Sequence, residues 1–344
     1  MMESLPPQCD DNHCVTLVKE LCTIASSMLQ SEHDVVHFRP VLKFLQRFVK
    51  VHGDVVDKNA RASLEGQNNL SNGERGRAIG ECLESLLLST VDTVRESLGS
   101  SWTSSQRQGQ GQPAFESKIE PMSDRHARLT NEALPETFTL LRTCAERCPF
   151  FLLHLPAGPG VDRKEDTLYR RSVESAVASL IEADVDTSKS AMEYLGSTVK
   201  LTQSFSDDVR HGAEEILARV QSEIILMIVA GSCGKLNYAT LGEAANLLSR
   251  VLAVSAASPS SRAEAEAFVV QALQHDHFWL GRKAQSVSLD VLMRCSRNEV
   301  SPSDLADFLG DLWELHQVEH SEVLEGSELV ERFCRKFTTS RQGR

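Results

Sequence analysis

From about residue 134 to residue 337 the chain repeats one pattern: apolar residues return at every third or fourth place, and short polar or glycine-containing turns interrupt them. That spacing gathers them on one side of a 3.6-residue helical turn, and almost no run alternates with the period of two expected of a half-buried strand. Stripes of this kind are buried by stacking helix on helix, so the chain is expected to be all-α.

Leu134, Phe138, Leu141, Ala145 and Cys148 make one stripe, closed by Pro149. Val173, Ala176, Val177, Leu180 and Ile181 make the next, and Met192, Leu195, Val199 and Leu201 follow after the polar turn Asp184-Val185-Asp186-Thr187. The strongest helix is predicted over 207–230. There Ile216, Val220, Ile224, Met227 and Ile228 form a stripe that Leu217, Ile225 and Leu226 widen, so two sides should be buried. Gly231 and Gly234 then supply a helix-ending turn, because glycine enters the left-handed region without a steric cost. Three helix starts carry side-chain signatures. Thr240 with Glu243, and Ser261 with Glu264, have the spacing of a capping box. Ser301-Pro302-Ser303-Asp304 places serine at the cap, proline at the first helical position and a carboxylate facing the helix dipole.

The amino-terminal part is predicted to hold helices near 14–29 and 35–51, the second admitting Pro40 in its first turn. Residues 1–56 thus form a helical hairpin, 57–77 a flexible loop, and 78–99 a helix of a second repeat. The Ser-Ser and Gln-Gly repeats near 100–112 belong to a low-complexity stretch that buries too little apolar surface to offset the entropy of ordering, so 100–131 is expected to be disordered. HEAT-like helical repeats are expected over 132–337 and a flexible tail over 338–344. Helix starts near 164 and 207 match the ~40 to 47 residues of a two-helix HEAT unit. Such an array tolerates insertions, since each repeat contacts only its neighbours. The expected fold is an all-α HEAT-like solenoid with two long disordered insertions.

With 24% charged and only 6% aromatic residues, stacked aliphatic layers fit the composition better than one dense globular core. The formal charge of −12 argues against nucleic-acid binding, which needs clustered lysine and arginine. No apolar run approaches the ~20 residues that span a bilayer, and residues 1–11 lack the pattern of a signal peptide, which points to the cytoplasm and nucleus. Of nine cysteines, Cys22, Cys82, Cys144, Cys148 and Cys233 lie in or beside apolar stripes and read as small buried hydrophobes in a reducing compartment.

Catalytic and metal sites are not expected. Cys9, His13 and Cys14, and separately His275 and His277, lack a second ligand pair at zinc-site spacing. Cys144 and Cys148, with His154 beyond, resemble a nucleophile and base, but no orienting acid accompanies them. The run GSCGK at 231–235 lacks the preceding strand and the spacing of a phosphate-binding loop. Neither a cofactor nor an enzymatic activity is predicted.

The most promising constellation is acidic. Between Arg297 and Arg332 stand ten Asp or Glu residues and no Lys or Arg. Asp304, Asp307, Asp311 and Glu314 share one face of a helix whose other face carries Leu305, Phe308, Leu309, Leu312 and Leu315. The bland role of such a stripe is a solvated outer surface; the functional one is a contact for a basic protein partner, weakening as salt rises.

In their order, six segments resemble the carboxy-terminal region of the transportin-3 and importin-13 group of importin-β-type nuclear transport receptors, the karyopherins. They are HFRPVLKFLQRFVKVHGD, IGECLESLLLSTVDTVRESL, LPETFTLLRTCAERCPFFLLHL, SVESAVASLIEADVDTSKSAMEYLGSTVKL, RVQSEIILMIVAGSCGKLNYATLGEAANLLSRVL and FVVQALQHDHFWL. The resemblance covers most of the chain outside the two insertions. It implies a superhelical HEAT array that carries protein cargo through nuclear pores and releases it on binding the GTP form of Ran, with no catalytic residues. The family's main Ran contacts lie in an amino-terminal arch, expected to precede Met1. A cytosolic helical-repeat scaffold or assembly subunit, with no Ran-dependent role, is the alternative.

Overall fold

The computed structural model describes residues 16, 20, 23, 24 and 27, then 38–64, 79–88 and 90, 124–155, 167–181, 184–233, 235–257, 259–274, 281–317 and 328–339. Among these residues there is no β-strand, and helices joined by short connections account for nearly all of them. They include α1 (Phe38–Leu64), α2 (Asp124–Arg147), α3 (Pro149–His154), α4 (Leu168–Ala178), α5 (Val185–Leu201), α6 (Asp207–Gly231), α7 (Leu241–Ser255), α8 (Pro259–Leu273), α9 (Gly281–Ser296), α10 (Pro302–Gln317) and α11 (Glu328–Thr339). Residues 79–88 are also helical, as are the described residues between 16 and 27. The chain divides into two compact units, Met1–Ser175 with Ser206–Val209, and Ala176–Phe205 with Arg210–Arg344.

Helix reaches into both spans expected to be insertions. The loop expected over 57–77 begins as helix, because α1 continues to Leu64. Nothing between Asp54 and Leu64 breaks a helix, Val56 is buried, and Arg61 pairs with Asp57 one turn back at 3.1 Å. The disordered stretch expected over 100–131 gives way at Asp124, where α2 starts. The remainder of both insertions, the 338–344 tail beyond Thr339, and most of the helix expected over 14–29 lie outside the described residues. Pro40 is the third residue of α1, inside the first turn where its missing N–H costs no helical bond.

In the first unit α1 packs along α2 and against α3. Val41, Leu42, Leu45, Phe48, Val49 and Val56 of α1 are buried, as are Leu134, Phe138, Leu141, Ala145 and Cys148 across from them. Gly53 sets how closely the two helices approach. A Cβ there would lie 2.7 Å from Arg147 Cβ and 3.4 Å from the Arg147 backbone. Pro149 does more than close the preceding stripe. It opens α3, a six-residue helix over the run PFFLLH in which Phe150, Phe151, Leu152 and Leu153 are all buried. Asp57 of α1 accepts a hydrogen bond from the Phe151 amide at 3.0 Å, satisfying a donor that the short helix leaves unpaired. Arg61 lies over the Phe150 ring at 4.6 Å. Farther along, Glu136 accepts from Arg39 Nε and from Gln46 Nε2, both at 3.0 Å, with Lys43 nearby at 3.6 Å. Burial pushes the Glu136 carboxyl up, but these bonds and cations outweigh it and hold the group below the ordinary 4.5.

In the second unit α7 occupies the centre, packed against α5, α8, α9 and α10. Its Leu241, Ala244, Ala245, Leu247, Leu248, Val251 and Leu252 are buried. The expected turn at 184–187 is the cap and first turn of α5, since the Asp184 carboxylate accepts the Thr187 amide at 2.7 Å. Along α6 the predicted stripe is buried at Ile216, Val220, Ile224, Met227 and Ile228, with Leu217 and Ile225 beside it. Gly231 is the last residue of α6 and does not take a left-handed conformation. Glycine is favoured there by close packing, because a Cβ would meet Leu236 Cγ at 3.0 Å. Gly234 lies outside the described residues.

Two of the three expected caps differ. Thr240 is helical in φ and ψ, and its hydroxyl donates to the Asn237 carbonyl at 2.7 Å instead of capping α7. A 3-10 turn at Tyr238–Thr240 precedes α7, and Asn237 caps that turn by accepting the Ala239 amide. Ser261 falls inside α8, which starts two residues earlier at Pro259. In both places the helical path begins before the predicted cap, so the serine or threonine has no orphan amide to reach. The third start is as predicted: Ser301 precedes Pro302 and accepts the Asp304 amide at 3.1 Å.

Alanine in place of glycine inside a helix normally adds about 0.5–1 kcal/mol of stability. Gly53→Ala is expected to do the opposite, lowering stability by about 1–3 kcal/mol through the clash with Arg147. A urea unfolding series checks the sign. Glu136 supplies a second test. Its carboxyl is depressed in the folded state, so its contribution is complete above the unfolded value and is lost as pH falls through the folded one. The stability lead of the native chain over Glu136→Gln should hold at neutral pH and shrink below pH 4.5, read from melting temperatures across that window.

Candidate protein-binding surface

The four carboxylates proposed from the sequence do lie on α10, but they do not act as one stripe. Asp304 belongs to the helix start: Ser301 Oγ donates to its Oδ2 at 2.8 Å while accepting its amide. Asp311 is half-buried and bonded to Lys336 of α11. Asp304, Asp307 and Glu314 are all exposed, and Asp304 is the one of these three that the helix start engages. Helical spacing alone placed all four together, and the chain's own cap and a neighbouring helix then claim two.

The same happens along the rest of the acidic run. Glu299 bonds Arg297 at 2.7 Å and lies 3.7 Å from Arg294, and Glu331 bonds Lys283 of α9. The hydrogen bonds from these cations hold the Glu299 and Glu331 carboxyls below the ordinary glutamate range. Every cation concerned lies outside the uninterrupted acidic stretch between Arg297 and Arg332, so inspection of that stretch alone shows no neutralisation. Glu319, Glu322 and Glu325 lie outside the described residues.

Between α10 and α11 a groove of about 510 Å³ is lined by Asp311, Glu314, Leu315, Leu329, Arg332, Phe333 and Lys336. Of its lining residues Phe333 belongs to an aromatic cluster, in which the Phe308 ring centre lies 5.8 Å from that of Phe333 and 5.2 Å from that of Phe337. The charges around it are mixed, two carboxylates with two cations.

On the other flank of α10 is a feature that the sequence analysis missed. Trp313 donates its indole N–H to the Leu236 carbonyl at 3.1 Å, and the Tyr238 ring packs edge-on against it at 5.2 Å. Tyr238 is 56% exposed although it sits in a tightly bonded connection. Leu236 is buried and its amide returns to the Gly231 carbonyl at 2.7 Å, while Asn237 and Thr240 bond within the turn. Gly310 lies near the Tyr238 ring edge: a Cβ there would be 4.0 Å from Tyr238 Cε2. Leu236 and Tyr238 stand 72 or more positions before Gly310 and Trp313 in the chain, which is why no local pattern revealed the contact.

The groups of the thiol and lysine motifs bond within the fold. Cys144 and Cys148 are fully buried and hydrogen-bonded to each other; that bond and burial push the Cys148 thiol well up. His154 bonds the Phe150 carbonyl through Nδ1 at 2.8 Å and stacks on the Phe150 ring at 4.2 Å. The Lys235 amide donates to the Gly231 carbonyl at 2.8 Å, within a helix-ending turn. Among the described residues no group of three or more His, Cys, Asp and Glu is placed to hold a metal, and no helix is long and apolar enough to cross a membrane. Cys9, His13, Cys14, His275 and His277 lie outside the described residues.

Buried thiols with raised pKa values react slowly, because the thiolate is the nucleophile. Cys148 and Cys233 should therefore resist alkylation by iodoacetamide at pH 8 in the native protein and react on addition of denaturant. Peptide mass spectrometry of the native and denatured samples reads this directly. The chain matches no protein-family model, no curated protein and no solved structure.

Proposed function

We propose that this chain is a helical-repeat solenoid that binds other proteins, and that it acts in nucleocytoplasmic transport as part of an importin-β-like receptor for protein cargo. One observation carries the repeat architecture. In the second unit the main packing runs between elements near one another in chain order: α5 with the Ser179–Ile181 turn and α7, α7 with α8, α9 and α10, and α11 with α9 and α10. Packing of that kind is expected of a quasi-one-dimensional array, which offers extended surface for protein partners. The transport role is supported by the ordered resemblance of six segments to the carboxy-terminal region of transport receptors. A net charge of −12 suits cargo that is basic.

A scaffold without a transport role is the second reading, favoured by the internal use of Asp304 and Asp311. Ran separates the two. Native complexes are captured from cell extract with an antibody raised against residues 134–337, and GTP-loaded Ran is added. Release of the co-purifying proteins is the outcome expected for transport; their retention identifies a scaffold. A native protein that captures no stoichiometric partner overturns both.

A further inference from the structure

We infer that Cys144 and Cys148, which meet where α2 gives way to α3, form a redox-sensitive pair: a peroxide closes them into a disulfide, a small thiol reopens it, and the bond sets how firmly α3 is held. The inference is independent of the transport reading above.

Cys148 is the residue at which the chain leaves α2 for α3. Its amide still donates to the Cys144 carbonyl at 2.8 Å, but its φ of −140° and ψ of 57° lie outside the helix. On a regular helix, residues four apart hold their Cβ atoms about 5–6 Å from each other, farther than the ~3.5–4.5 Å that a disulfide spans. Leaving the helical path at Cys148 removes that restriction, and the two thiols touch through a hydrogen bond. Both are buried, yet Glu146 and Arg147 before Cys148 are exposed and Pro149 after it is half-buried, so Cys148 lies one residue below the surface. A local opening of the six-residue α3 is enough to admit an oxidant of the size of water.

The contact decides the product. The first sulfur attacks hydrogen peroxide and takes one oxygen, becoming a sulfenic acid while the other oxygen leaves as water. The second sulfur then attacks the first; the S–O bond breaks as the S–S bond forms, and the hydroxyl departs with the second thiol's proton as another water. The two thiols thus lose two electrons and two protons, and the peroxide is reduced. Because the second thiol is already in place, closure outruns further oxidation. In the resting state the bond to Cys144 and burial keep the Cys148 thiol protonated, so the reduced pair is slow to react until peroxide accumulates. A bridge enclosing so few residues gains little from loop closure, so two molecules of glutathione reopen it and are themselves joined as a disulfide. The Cys148 carbonyl also accepts the Leu152 amide at 3.0 Å, next to the Phe151 amide held by Asp57. Covalent attachment of Cys148 to α2 therefore restrains α3 from its first turn.

The test treats the native whole chain with hydrogen peroxide, then denatures it in iodoacetamide and digests it with trypsin in the absence of reductant. Cleavage after Arg142, Arg147 and Arg163 places the two cysteines on separate peptides, 143–147 and 148–163. They should appear as one species, lighter than their sum by two hydrogens, and should separate if the folded oxidised chain is first incubated with reduced glutathione. Cys233, also buried but bonded to the Val229 carbonyl, should remain a free thiol. Hydrogen exchange at the α3 amides should slow roughly tenfold on oxidation of the native chain and stay unchanged in Cys144→Ala. Circular dichroism verifies that the variant is folded, and the peptide map of the native chain does not depend on it. Free thiols or sulfinic acid at the pair, a bridge to any other cysteine, equal oxidation of Cys233, a bridge that glutathione leaves closed, or α3 exchange unaltered by the bridge overturns the inference.

Discussion

The second unit depends on the burial of one aliphatic helix. α7 has no aromatic residue, and four other helices cover its leucine, alanine and valine side chains. Each fully buried leucine or valine contributes about 1.5–3 kcal/mol relative to exposure, so α7 supplies much of the force that holds its neighbours. Its Ala244 and Ala245 are also fully buried, in an interior packed too closely to take a larger side chain without rearrangement. The first unit solves the same problem with glycine, at Gly53 against Arg147. Low aromatic content is thus compatible with close packing, provided the small residues fall at the crossings.

Once the aliphatic layers are in place, the polar groups are arranged around their ends. Asp57 reaches from one helix to the first turn of another, Gln285 donates to the Leu273 carbonyl at 3.1 Å, and Trp313 donates to Leu236. Each satisfies a backbone group that would otherwise be costly to bury. The last of these bonds has a second effect: it fixes the surface on which Tyr238 rests. Packing, backbone satisfaction and the candidate binding surface are therefore linked through the same short connection after α6.

The acidic run shows how tertiary structure changes a charge pattern. In the sequence it is ten carboxylates without a cation between them. In the fold, Lys283 and Lys336 arrive from α9 and α11, and Arg294 and Arg297 from the end of α9 and the turn after it. Exposed ion pairs of this sort contribute little to stability, because solvent screens them. Their main effect is on the charge pattern, since Lys336 engages Asp311 while Asp307 and Glu314 face solvent.

The sequence alone determined the class of fold and most of the core, because apolar spacing is a local property that survives any arrangement of the helices. Leu134, Phe138, Ile224 and Leu312 were all readable as buried from their neighbours three and four places away. The Ser301 cap was equally readable, its hydroxyl, proline and carboxylate acting within one turn. Only the tertiary structure decided that Thr240 bonds backward instead of capping, that Gly231 is small to admit Leu236, and that α1 continues to Leu64. It alone joined Tyr238 to Gly310 and Trp313, and Asp311 to Lys336. Those outcomes depend on which distant side chains arrive at a given point, and that information is held in the packing of helices, not in the spacing along any one of them.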